Sequence, residues 1–103
     1  MPRITETPPE ERIETEIEIE PVKLFRVIFL NDDVTTFEFV VRILMSLFRK
    51  EYATALNLAT EVHTKGESHV ITLPREPAEL RQQQVHDAAR SEGFPFRCVL
   101  RPA

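Results

Sequence analysis

The chain has 103 residues and a mass of 12.0 kDa, enough for one domain but not for two. With 42% hydrophobic and 29% charged residues it has the balance of a globular protein. The net charge of −4 argues against a basic nucleic-acid-binding surface, and no apolar run approaches the roughly 20 residues that a membrane helix needs. The single cysteine, Cys98, excludes an internal disulfide, so we expect a reducing, cytoplasmic compartment.

The acidity of the chain is concentrated at its N-terminus. The first 22 residues hold two arginines and seven glutamates, a net charge of −5, whereas the remainder is near neutral. Three prolines and no aromatic residue among the first 14 leave too little apolar surface to offset the entropy of ordering the backbone. Thr15–Glu20 alternates isoleucine with glutamate in a strand period that Pro21 ends. We predict a flexible acidic extension over residues 1–21 and a folded domain over residues 22–103.

A strand and a helix are predicted at the start of the domain. The apolar run LFRVIFL predicts a buried strand over Lys23–Leu30. An Asn-Asp-Asp turn follows, and we expect Thr35 to cap a helix, with Glu38 completing a capping box. Because cations suit the negative end of a helix dipole, Arg49 and Lys50 predict the end of this helix. One helical face carries the apolar residues Phe37, Val40, Val41, Leu44 and Phe48.

The rest of the chain predicts two more helices and two more strands. A second helix over Glu51–Thr64, terminated by Gly66, should pack on the first as a hairpin because the link is short. His69–Leu73 predicts a strand, Pro77–Glu92 a third helix, and Phe96–Leu100 a last strand. The order β-α-α-β-α-β predicts an α+β fold, a three-stranded antiparallel sheet packed with three helices. The apolar stripe of the second helix contains Tyr52, Ala55, Leu56, Ala59, Val62 and His63.

The polar turn after the first strand has two interpretations. Asn31, Asp32 and Asp33 favour an Asx turn, because their side chains hydrogen-bond to nearby backbone. Alternatively they form a cluster that receives a cation or an amine. His63 is either a boundary residue of its helix or, in a helical hairpin, a neighbour of this turn. A third alternative is a small metal-dependent hydrolase with an open metal site. Its ligands would be Asp32, Asp33 and His63, although no second histidine lies near them.

Catalysis has little support in the sequence. No serine or cysteine sits in a recognisable nucleophile elbow or dyad, and the two glycines, Gly66 and Gly93, form no phosphate-binding loop. Cys98 lies within the last predicted strand and is expected to be a small core residue. The run Gln82–Gln84 predicts a solvated helix face or a contact surface. We therefore expect a protein that is not an enzyme and has no cofactor.

Three segments, VIFLNDDVTTFEFVVRIL, EVHTKG and FPFRCVL, resemble the ClpS family of adaptors for the Clp protease. The resemblance covers about residues 22–102 and includes an Asn-Asp-Asp-x-Thr box and a Val-His-x-x-Gly box. It implies a three-stranded sheet with three helices, and the binding of N-degrons, proteins whose first residue is bulky and apolar or aromatic. It also implies delivery to the N-terminal domain of a ClpA-type unfoldase, which feeds the ClpP peptidase, with the N-terminal extension serving in delivery. We expect the adaptor to be a monomer.

The resemblance also implies a role for individual residues. It assigns the α-amino group of the substrate to Asn31, Asp33 and His63, and the contact with the unfoldase to Glu76 and Arg81. The pocket for the first side chain would be lined by Leu30, Thr35, Phe37, Val40, Ala59, Val62 and Phe96.

Several positions depart from the family pattern. Phe37 and Ala59 stand where methionines are usual, and Phe96 stands where an aliphatic residue is usual, so we expect a reshaped pocket. Arg81 replaces a usual lysine in the unfoldase contact. Ile71 stands where glycine is common, which predicts a more regular second strand. The alternative function is an adaptor that docks on the unfoldase and modulates its substrate choice without strong N-degron binding.

Overall fold

The structure, a computed structural model, describes residues 21–103. Its three strands form one antiparallel sheet in the order β2-β1-β3, and three helices pack with it. The predicted α+β fold and its element order are confirmed, whereas the predicted Thr15–Glu20 segment lies outside the described residues. The elements are β1 (Leu24–Leu30), α1 (Phe37–Ser46), α2 (Tyr52–Lys65), β2 (Glu67–Pro74), α3 (Arg75–Ser91) and β3 (Arg97–Pro102).

Strand β1 is the central strand, which explains why its sequence is nearly all apolar. Val27 and Phe29 are fully buried in the core beneath the helices. Ile28, on the opposite face of the sheet, is only 3% exposed. On that face Arg101 of β3 donates two hydrogen bonds to the carboxylate of Glu67 of β2, at 2.7 and 3.0 Å. Because Arg101 aligns with one end of β1 and Glu67 with the other, this ion pair crosses β1 over Ile28.

Helix α1 begins with a different cap from the predicted one. Thr36 is the N-cap, and its side-chain oxygen accepts a hydrogen bond from the backbone N–H of Phe39 at 3.2 Å. The hydroxyl of Thr35 instead donates to Asp32 at 2.8 Å, so Thr35 belongs to the preceding turn. The predicted capping box of Thr35 and Glu38 is therefore wrong. The N-cap lies one residue later than predicted, because the side chain of Thr35 is bonded within the turn.

The other end of α1 is also earlier than predicted. The helix ends at Ser46 rather than near Arg49 and Lys50, and Arg49 has a left-handed φ of 56°, which no continuous α-helix contains. Phe37 was expected on the buried face but is 40% exposed, because it lies in the first turn of the helix beside a cavity. The residues of α1 that are buried are Phe39, Val40, Val41, Ile43 and Leu44.

Helix α2 packs against α1, so the predicted hairpin is confirmed. Gly66 ends the helix as predicted, with a left-handed φ of 89° that a residue with a Cβ adopts only with strain. Its carbonyl oxygen accepts a hydrogen bond from the backbone N–H of Asn31 at 2.9 Å. This bond ties the C-terminal end of α2 to the turn after β1. Tyr52, predicted on the apolar stripe, is 60% exposed.

Strand β2 contains an irregularity, although Ile71 predicted a more regular strand. Val27 pairs with Ile71 and Ile28 pairs with His69, so Val70 is an extra residue in the ladder. The prediction that Ile71 makes this strand more regular is therefore wrong. Val70 is only 5% exposed and belongs to the core, so burial of its side chain compensates for the interrupted pairing.

Helix α3 covers the sheet and holds its edge strand β3. The helix begins two residues before the predicted start at Pro77, which lies in the first turn, where no N–H is needed. Cys98 is 1% exposed, which confirms it as a core residue. Its backbone N–H donates to Nε2 of His86 at 3.1 Å, and its carbonyl accepts from Gln82 at 3.0 Å. Gln82 is thus a structural contact rather than part of a solvated face. No helix in residues 21–103 combines the length and the apolar character needed to cross a membrane.

Candidate functional site

A cavity of about 490 Å³ opens where the turn after β1 faces the first turns of α1 and the C-terminal half of α2. Its rim is polar, because the turn contributes carboxylates, a carboxamide and hydroxyls. Its floor is apolar, because the two helices contribute aliphatic side chains. The lining residues are Asn31, Asp32, Asp33, Thr35, Thr36, Phe37, Val40, Ala59, Val62 and His63.

The spacing of residues along the two helices determines which side chains form the floor of the cavity and one side of its rim. Ala59, Val62 and His63 are three and four residues apart, so they share one face of α2. Val40 of α1 is 5% exposed, and Ala59 and Val62 are each 2% exposed, so these three form a buried floor. Phe37 lies one helical turn before Val40 and stays at the rim. The hairpin therefore builds the apolar part of the cavity from both of its helices.

Asp32 holds the turn in shape. One oxygen of its carboxylate accepts the backbone N–H groups of Val34 and Thr35, at 2.8 and 2.7 Å, and the other accepts the hydroxyl of Thr35. Burial raises the pKa of Asp32, but the hydrogen bonds from Thr35 and Val34 outweigh this effect and hold the pKa below its ordinary value. Asp32 is therefore a charged carboxylate that forms the Asx turn.

Three other polar side chains at the rim are available to a ligand. Within residues 21–103, no hydrogen bond or ion pair engages the side chains of Asn31, Asp33 or His63, and all three are exposed at the cavity. A carboxamide oxygen, a carboxylate and an imidazole therefore surround one opening. These groups together accept several hydrogen bonds and match a cationic donor such as an ammonium group. The structure brings all three predicted amine-binding residues to the same cavity.

Two residues predicted for the pocket do not line it. Leu30 is half-buried at the end of β1 and lies outside the lining. Phe96 is 3% exposed and packs edge-on against Phe29 and Phe39, with ring centroids 5.1 and 6.0 Å apart. It therefore belongs to the aromatic core. Thr36 lines the cavity although sequence reasoning did not select it, because the sequence does not show that Thr36 rather than Thr35 is the N-cap of α1.

The two residues predicted to contact the unfoldase lie elsewhere. Both are on α3, which contributes nothing to the cavity lining. Glu76 is exposed in the first turn of the helix. Arg81 is half-buried and donates a hydrogen bond to the side chain of Gln84 at 2.9 Å. The cavity and the predicted docking surface are therefore separate parts of the molecule.

The alternative of a metal site lacks the necessary side chains. In the part of the chain that the structure describes, no three His, Cys, Asp or Glu residues are grouped so that they could hold a metal ion. Asp32 was one of the proposed ligands, but both of its oxygens already accept hydrogen bonds within the turn.

The fold and the cavity define a small binding domain, with a polar rim for hydrogen bonds and an apolar floor for a side chain. Residues 20–99 match the family model described as the ATP-dependent Clp protease adaptor protein ClpS. The chain therefore belongs to the ClpS family, a family of protease adaptors, as the sequence predicted.

Individual relatives agree with this assignment. The chain is 39% identical to the ClpS adapter of Nautilia profundicola over 88 residues. This aligned region covers 85% of this chain and 91% of the relative. It is 35% identical to the ClpS adapter of Alkalilimnicola ehrlichii, covering 99% of this chain and 89% of that one. A solved structure of Agrobacterium tumefaciens ClpS2 bound to L-phenylalaninamide superposes with a TM-score of 0.78 and 31% identity, over 81% of this chain and 100% of that chain.

Proposed function

We propose that this adaptor binds proteins through a bulky apolar or aromatic N-terminal residue and delivers them to a ClpA-type unfoldase for degradation by ClpP. One observation carries the proposal: Asn31, Asp33 and His63 converge at the rim of a cavity whose floor is apolar. An N-terminal residue is a ligand that has a cationic amine directly beside a side chain. The cavity offers groups complementary to both parts, hydrogen-bond acceptors at its rim and an apolar surface at its floor.

The amine explains how an N-terminus is distinguished from internal sequence. The carboxylate of Asp33 and the carboxamide oxygen of Asn31 accept hydrogen bonds from the ammonium, and a neutral imidazole of His63 accepts another from the first peptide. An internal residue has no ammonium and, when it covers the rim, leaves Asp33 dehydrated without a partner. That penalty rejects internal sequence more strongly than an apolar pocket does alone.

The floor explains how the first side chain is selected. Val40, Ala59 and Val62 present an apolar surface beneath the rim, and Thr35 and Phe37 complete the lining. Burial of a Phe or Leu side chain there contributes roughly 1.5–3 kcal/mol. The bound ligand of the related Agrobacterium structure, a phenylalanine derivative with a free amine, supports this choice of side chain.

Delivery would involve other parts of the protein than the residues that line the cavity. Glu76 and Arg81 on α3 would contact the N-terminal domain of the unfoldase while the cavity remains accessible. The acidic extension of residues 1–21 would serve in transfer of the substrate. The adaptor would act as a cytoplasmic monomer and without catalysis of its own.

A titration with three peptides tests the proposal. A peptide that begins with Phe should bind, and the same peptide should bind at least tenfold more weakly when its N-terminus is acetylated or when Phe is replaced by Ala. Equal binding of the free and acetylated peptides would refute amine recognition. Docking on the unfoldase without binding of any of the peptides would favour the alternative, an adaptor that only modulates substrate choice.

A further inference from the structure

A second, more apolar groove of about 640 Å³ lies along the outer side of the α1–α2 hairpin. Its walls include Val41 and Met45 of α1 and Tyr52 and Leu56 of α2. Met45 is 40% exposed and Tyr52 is 60% exposed. These large apolar side chains are grouped in one groove rather than scattered singly, and a grouping of this kind marks a binding surface.

The groove adjoins the cavity already described. Phe37 lines both of them, and its side chain is 40% exposed between the two. The amine-binding residues lie on the turn and on the C-terminal half of α2. A substrate held there by its first residue has the second groove next to it, on the other side of Phe37.

The spacing along the groove matches an extended peptide. Phe37, Val41 and Met45 are four residues apart on α1, so successive members are about 6 Å apart along the helix axis. In an extended chain, alternate residues point to the same side and are about 6.6 Å apart. The spacing of these three helix positions therefore matches the spacing of residues one, three and five of an extended peptide.

We propose that the substrate continues from the first cavity into this groove in an extended conformation, with the side chains of its third and fifth residues in the groove. The second and fourth side chains then point to solvent. This inference rests on the proposed function, because it requires the first residue to be held by its amine. It defines the substrate class more narrowly, as N-degrons with apolar residues at odd positions.

The charges at the rim of the groove add a second preference. Arg42 forms a bidentate ion pair with Glu92, in which the longer hydrogen bond is 3.1 Å, so its charge is already neutralised. Glu38 lies at the same rim, and no hydrogen bond or ion pair engages it within residues 21–103. An acidic residue at position three or five should therefore bind less well than an alanine.

Two peptides of identical composition test the inference. One begins Phe-Ala-Leu-Ala-Leu and the other Phe-Leu-Ala-Leu-Ala, and both have a free amine. We expect the first to bind about fivefold to tenfold more tightly, because only its leucines are buried in the groove. Equal affinity of the two peptides, together with much weaker binding of their acetylated forms, would refute binding of the substrate in the groove and leave the proposed function intact. Equal binding of free and acetylated forms would overturn the proposed function itself.

A pair of variants ties the preference to the groove. Met45→Glu places a carboxylate in the groove and should reduce the ratio between the two peptides to about one. Leu80→Glu is the matched control, since Leu80 is an apolar residue on α3 whose exposed fraction, 54%, is similar to that of Met45. It should leave the ratio unchanged. A ratio that survives in Met45→Glu would show that the preference arises elsewhere. Tyr52→Ser repeats the test if Met45→Glu alters the circular dichroism of the protein.

Discussion

Asp32 and Asp33 are adjacent in sequence, but their carboxylates have different surroundings. Asp32 is engaged by three hydrogen bonds within the turn, whereas no residue of the described chain hydrogen-bonds to Asp33 at the cavity rim. Asp32 is therefore a structural group, whereas the carboxylate of Asp33 remains available to a ligand. Residue types alone leave the two roles open, because either carboxylate is able to form an Asx turn.

The turn predicts a pH-dependent stability. Because the folded state holds the pKa of Asp32 below its ordinary value, Asp32 stabilises the fold above about pH 4 and loses this effect as the pH falls through the lowered pKa. We expect Asp32→Ala to lower the free energy of unfolding by about 1–2 kcal/mol at pH 7. The difference from the parent protein should shrink towards pH 2 in urea titrations. A constant difference across that range would show that the lost contribution is not that of the charged carboxylate.

Phe37 predicts the side-chain preference of the cavity. It lies at the rim with Thr35 and above Val40, and a phenyl ring lacks the flexibility of a methionine. A substrate branched at Cβ would have to displace this wall, and overpacking typically costs about 1–3 kcal/mol. We therefore expect an Ile-initiated peptide to bind at least about fivefold more weakly than a Leu-initiated one. Phe37→Met should reduce the difference in affinity between the Leu-initiated and the Ile-initiated peptide. Equal affinities for Leu and Ile in the parent protein would refute the role of Phe37 as a gate.

At the scale of elements, hydrophobic patterning predicted every strand and helix of the described domain. It failed where neighbouring residues of the same type compete, as with Thr35 and Thr36, since either is able to cap a helix. It also failed for Phe37 and Tyr52, which fit an apolar stripe by spacing but line surface cavities instead. The extra residue Val70 in β2 has no local signal, because a bulge depends on the partner strand.

The prediction of the site was limited for a related reason. The residues from the turn and from α2 lie together because the Asn31 N–H binds the Gly66 carbonyl, a contact that spacing within one helix does not specify. The predicted hairpin allowed His63 to lie near this turn, and the resemblance to a family favoured that arrangement over a boundary residue. The resemblance also assigned Phe96, whose bulk places it in the aromatic core rather than in the cavity lining.

Helix α3 predicts a separation of docking from peptide binding. Glu76→Lys reverses a charge on the helix that contributes no residue to the cavity. We expect it to slow degradation of a Phe-initiated substrate in a reconstituted ClpA–ClpP assay by at least fivefold, with unchanged peptide affinity. Asp87→Lys is the control, with the same charge change about 16 Å along the same helix. Similar losses in both variants would indicate a general electrostatic effect rather than a contact at Glu76.

At the scale of the whole molecule, the acidic extension and the near-neutral domain are expected to have different tasks. Deletion of residues 1–20 should leave the affinity for a Phe-initiated peptide unchanged, because within residues 21–103 the residues that line the cavity all follow β1. The same deletion should reduce the rate of degradation in the reconstituted assay. Degradation at the full rate would show that the extension has no part in delivery.

In the proposed site Asp33 pairs with the α-amino group of the substrate, and a double-mutant cycle measures this pairing directly. Calorimetric titration of free and acetylated Phe-initiated peptides with the parent protein and with Asp33→Ala gives the four affinities required. We expect a coupling of about 1.5–3 kcal/mol, with acetylation costing far less in the variant than in the parent protein. If acetylation weakens binding equally in both proteins, Asp33 does not recognise the amine and the proposed site is wrong.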